Sequence, residues 1–135
     1  MPHLIIETTD NASDILPHDE LARALHCAAC SIGAFPADAI RTRLHIADHS
    51  VIGDGGDDAI SVHVIVRIAK GRTVETRQRA SEMLLDALTR LFDGHRETRP
   101  IALSVEIVEL DPDTRRQWHN LREMAAQRAP VRETH

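Results

Sequence analysis

The chain has 135 residues, 42% hydrophobic and 27% charged, which suits one domain of ordinary size with a real core. Its 16 Lys+Arg against 21 Asp+Glu leave a net charge of −5, and aromatic residues make up only 2% with no tyrosine. That balance excludes a nucleic-acid partner held by a general basic field or by stacked bases, so an anionic ligand has to be met by locally grouped arginines.

No apolar run approaches the ~18 residues of a membrane span. Glu7 and Asp10 interrupt the N-terminus before a signal-peptide core forms, so a cytoplasmic protein is the expectation. Pro2 follows Met1 and leads into Leu4, Ile5 and Ile6, a strand apolar on both faces and therefore central or interface-facing. Two readings of Pro2 are open. It begins an edge strand, where its missing N–H is harmless, or, once Met1 is removed, it presents a cyclic secondary amine as a general base. A free α-amino group titrates at about 7.7–8.0, and burial or neighbouring cations lower that toward the working pH. With Met1 retained, the same nitrogen is a tertiary amide without a basic lone pair.

Asp10 to Asp14 reads as a polar turn, and Pro17 opens a helix that spans roughly Pro17 to Ile32. Leu21, Leu25, Ala28 and Ile32 form its apolar stripe, and Gly33 is a natural terminator. Cys27 and Cys30 have C-x-x-C spacing but sit late in this helix, away from the N-terminal dipole, and read as ordinary packing residues. Residues 40 to 47 alternate, with Ile40, Thr42, Leu44 and Ile46 on one face and Arg41, Arg43, His45 and Ala47 on the other. A helix between two strands implies a βαβ unit with those strands parallel. Asp48 to Asp58 reads as a solvated acidic loop without calcium-loop ligand order.

The second half repeats the plan. Ile60 to Ile68 is the clearest alternating strand, and a Lys70-Gly71-Arg72 turn follows it, ending at the helix cap Thr73. A helical stripe through Ala80, Leu84, Leu88 and Phe92 ends near Gly94, and Pro100 precedes a strand with Ile101, Leu103, Val105 and Ile107. The expected fold class is α+β: a duplicated βαβ with two helices on one face of a four-stranded mixed sheet. Its other face carries Arg41, Arg43, His45, His63 and Arg67. The units span about 2–48 and 59–110, a C-terminal arm with Trp118 fills 111–126 to complete a single domain over 1–126, and 127–135 reads as a flexible tail.

Several motifs in one order carry a resemblance: Pro2-His3-Leu4-Ile5-Ile6-Glu7, Phe35-Pro36, Ile40 to His45, Gly71-Arg72-Thr73 with Glu75 and Arg77-Gln78, and Ala102-Leu103-Ser104 with Glu106-Ile107. From Pro2 to about Pro112 the chain resembles the 5-carboxymethyl-2-hydroxymuconate isomerases of the tautomerase superfamily, whose relatives include 4-oxalocrotonate tautomerase and macrophage migration inhibitory factor. The resemblance implies a homotrimer and a cofactor-free, metal-free isomerisation of a dienol polycarboxylate in homoprotocatechuate breakdown. It gives Pro2 the role of base and then acid, and Arg41 and Arg72 the role of substrate binding. Arg43, on the same strand face as Arg41, is a further candidate, weighed against a structural ion pair; Arg67 is weaker still. Lys70, Trp118 and the arm after Pro112 depart from the family pattern. Two alternatives stay open: a tautomerase of another 2-hydroxydienoate or a haloacrylate-type acid, and a non-catalytic trimeric binding protein.

Overall fold

A computed structural model describes residues 2–128. In chain order the main elements are β1 (His3–Thr8), α1 (His18–Ile32), β2 (Arg41–Ile46), β3 (Ile60–Ala69), α2 (Val74–Phe92), β4 (Ile101–Leu110) and α3 (Leu121–Gln127). The strands form one sheet in the order β2-β1-β3-β4. β1 runs parallel to β2 and β3 parallel to β4, so each helix crosses over between parallel partners. The two βαβ units meet where β1 pairs antiparallel with β3. Pro2 therefore leads into an inner strand, not an edge strand.

Period-2 side-chain alternation sorts the sheet into two faces. Leu4, Ile6, Val62, Val64 and Val66 are fully buried under α1 and α2, which present Leu21, Leu25, Ala29, Leu84 and Leu88. The α1 stripe runs 21, 25, 29, so Ala29 takes the fully buried place expected for Ala28, which packs only partly.

The helix ends follow the sequence signals. Pro17 sits at the N-cap of α1 and Gly33 ends the helix at φ 80°, a left-handed conformation suited to glycine. Thr73 caps α2 by accepting the Thr76 N–H at 3.1 Å. Asp10–Asp14 tightens into a 3-10 turn, and residues 47–59 hold no helix or strand.

Among the described residues, no helix covers the opposite face of the sheet. Register aligns Arg43, Ile5 and Ile65 across three strands, with His3 between Arg41 and Arg67 one step away. Among the described residues no helix is long and apolar enough to cross a membrane. Gln127 belongs to α3, and most of the tail expected at 127–135 lies outside the described residues.

Candidate active site

Strand direction decides what gathers around Pro2. β1 and β2 both begin at one end of the sheet, and the antiparallel β3 finishes there, so the turn after β3 returns to the start of β1. Pro2 is buried, and its carbonyl accepts the Arg41 N–H at 3.1 Å. Arg41 itself opposes His3 and is half-buried on the helix-free face. The Lys70-Gly71-Arg72 turn stands at the same end, with Gly71 at φ 125°, a region that L side chains rarely adopt.

Arg72 is held by the segment that joins α1 to β2. Its Nε donates to the Ala34 carbonyl at 3.0 Å, and its guanidinium lies 5.5 Å from the centre of the buried Phe35 ring. The longer 3.5 Å approach of Nη1 to the Ala69 carbonyl leaves the outer nitrogens nearly uncommitted. Behind it, Arg77 Nε donates to the Arg72 carbonyl at 3.4 Å and faces Glu109 at 3.8 Å. Thus α2 and β4 buttress the turn.

Arg43 turns to a ring nitrogen: its Nη1 lies 3.3 Å from His3 Nδ1, and it makes no carboxylate pair among the described residues. The structural ion pair weighed for Arg43 is therefore replaced by this His3 contact. Burial first, then the charges of Arg41, Arg43 and Arg115, hold the His3 imidazole below its ordinary value of 6.5. Sequence reading missed Arg115, because it lies in an irregular arm where no periodicity marks a direction. It also missed the part of His3, whose only signal is that it follows Pro2 on the face shared with Arg41.

Away from this end, His63 joins the helix-free face to β4 through Ser104 Oγ at 2.6 Å and Glu106 at 3.5 Å. Cys27 is exposed and Cys30 half-buried, and burial together with Cys27 pushes the Cys30 thiol up, away from the reactive thiolate. A groove of about 480 Å³ between α1 and β2 is lined by Arg23, His26, Cys27, Ile40 and Thr42, beside the cluster rather than on it.

The fold class is tautomerase-like: two βαβ units in one sheet, with the strand that follows Pro2 on the inside. A fused 4-OT described as a wild-type symmetric trimer superposes with a TM-score of 0.63 at 21% identity, covering 93% of this chain and 99% of that one. Within the class, the sequence model of 5-carboxymethyl-2-hydroxymuconate isomerase matches residues 2–125. The Escherichia coli 5-carboxymethyl-2-hydroxymuconate Delta-isomerase is 38% identical over 112 residues, 83% of this chain and 89% of that protein. The crystal structure of a 5-carboxymethyl-2-hydroxymuconate isomerase from Deinococcus radiodurans R1 is 26% identical with a TM-score of 0.82, covering 92% of this chain and 93% of that one. The chain belongs to the 5-carboxymethyl-2-hydroxymuconate isomerase family. The family match runs through the arm, past the Pro112 limit of the motifs read from sequence.

Proposed function

We propose that this protein isomerises 5-carboxymethyl-2-hydroxymuconate, without a cofactor, by moving a proton from the 2-hydroxyl group to a distant carbon of the dienol. What supports the reading is that Pro2, the start of β2 at Arg41 and the turn carrying Arg72 lie at one end of the sheet in a chain of this family. After loss of Met1, the Pro2 amine takes the hydroxyl proton, and the electron pair of that O–H bond flows through the conjugated chain to the far carbon. The prolinium then returns its proton to that carbon, so one O–H bond is exchanged for one C–H bond and the amine is regenerated.

Arg41 and Arg72 hold the carboxylates. A guanidinium keeps its charge at any working pH and fits a carboxylate with two donors. The same cations oppose negative charge building on the oxygen as its proton leaves. Burial first and then the charges of Arg41, Arg43 and Arg115 lower the His3 pKa one residue from Pro2, and cations there favour the neutral, proton-accepting amine. The helix-free face, with Ile5 and Ile65 at its middle, suits packing against further copies in a trimer, and a cytoplasmic setting belongs to the same reading.

The test joins mass spectrometry of the N-terminus to a spectrophotometric assay of dienol loss. Protein starting at Pro2 should turn over the triacid, whereas material retaining Met1 should not. Full turnover with Met1 retained refutes the mechanism. Pro2→Ala should keep ligand binding and assembly while losing turnover, which separates an enzyme from a non-catalytic binding protein.

A further inference from the structure

The C-terminal arm leaves one side of the sheet and is fastened on the other. β4, an outer strand, ends at Leu110 opposite Ala69, next to the Arg72 turn. Beyond the arm, Arg122 grips both carboxylate oxygens of Asp38 through Nε at 2.9 Å and Nη2 at 3.4 Å. Asp38 lies in the 3-10 turn Ala37–Ala39 that leads into β2, the other outer strand. Outer strands of a four-stranded sheet stand about 14 Å apart, and roughly ten residues of extended chain reach over 30 Å. The segment between Leu110 and Leu121 therefore crosses the end of the sheet where β1 begins, with length to spare.

Arg115 sits within this crossing. Its backbone is set by a turn in which the Thr114 and Arg115 N–H groups donate to the Asp111 carbonyl at 3.3 and 3.0 Å. The side chain is half-buried, braced by Nη2 donating to Gln117 Oε1 at 2.7 Å. Its charge reaches His3 together with those of Arg41 and Arg43. Among the described residues none of these three guanidinium groups has a carboxylate partner. Three guanidinium groups without a carboxylate partner, grouped at the end of the sheet where β1 begins, call for a polyanion.

We infer that the arm is part of the ligand site and that Arg115 receives a third carboxylate, so that a tricarboxylate is preferred over a dicarboxylate. Arg122 acts as a positioning residue, since its grip on Asp38 holds the crossing in place. The inference rests on placing the site at the Pro2 end of the sheet, but it concerns binding and stands apart from turnover.

Calorimetric titration of the full, Met1-free chain with propane-1,2,3-tricarboxylate and with glutarate tests it. A charge-assisted hydrogen bond changes affinity roughly 10-fold to 100-fold, so the unmodified protein should bind the triacid at least about 10-fold more tightly. Arg115→Gln should bring the two affinities together by weakening the triacid alone, and Arg115→Lys should restore part of the preference. Arg116→Gln, next door but exposed, should leave the ratio unchanged. Arg122→Glu should reduce the preference, and combining it with Asp38→Lys should restore it, an outcome that loss of a merely local contact would not produce. A ratio unaffected by Arg115→Gln, equal weakening of both ligands, or no preference in the unmodified protein overturns the inference. A preference that responds to Arg115 in a protein that turns over no dienol would instead overturn the isomerase reading and leave this one standing.

Discussion

Replacing Arg72 by alanine separates its structural part from the part proposed for it in the reaction. The structural share is one hydrogen bond to Ala34, about 1 kcal/mol, and the Phe35 contact, about 0.5–1 kcal/mol. Their sum of about 1.5–2 kcal/mol lowers Tm by roughly 5–7 °C for a domain of this size. The functional share comes from the outer nitrogens alone, because Nε is committed to Ala34. One or two charge-assisted bonds to a carboxylate amount to about 3 kcal/mol, so kcat/KM should fall roughly 150-fold. Arg72→Lys keeps the charge but not the fork, and should lose roughly 10-fold. The assay is the decay of dienol absorbance at fixed pH, paired with a thermal melt followed by circular dichroism. If Arg72→Ala melts early but keeps kcat/KM within about 3-fold, the guanidinium only braces the Ala34-Phe35 segment and the substrate role is wrong.

Three further outcomes are expected. Burial and the nearby arginines lower the His3 pKa below its ordinary 6.5, so as pH falls through that value the unfolded chain takes up a proton before the folded chain does, and stability drops. In His3→Asn that loss should be absent, and urea midpoints measured from pH ~7.5 down to ~5 should fall less steeply than those of the parent. Thr73→Ala removes the cap of α2 and should cost about 1 kcal/mol in urea unfolding, with a rise in KM because Arg72 precedes the cap directly. Leu84→Ala, fully buried between α2 and the sheet, should cost about 2–5 kcal/mol while kcat in the remaining folded protein stays unchanged.

Local features were readable because they rest on local physics. Alternation placed the strands, and Pro17, Gly33 and Thr73 marked helix ends, since caps and left-handed turns depend on the residues that form them. Leu4, Ile5 and Ile6, apolar on both faces, already pointed to an inner strand. The antiparallel meeting of β1 with β3 was not readable, because it joins residues some sixty positions apart and no spacing encodes it. The site divides the same way. Pro2, Arg41 and Arg72 stood out through their motifs, but the seat of Arg72 on Ala34 and Phe35 emerges only once α1 packs beside the turn. Arg115 was hidden for the same reason: what matters about it is where the chain returns, not what surrounds it in order.

The inner position of β1 also bears on biosynthesis. The strand made first needs hydrogen-bonding neighbours on both flanks, and the second of these is complete only when Ala69 has been added. Until β3 has followed it out of the ribosome, β1 lacks one of its native flanks. The order of translation thus holds the centre of the sheet open until residues from both βαβ units are present.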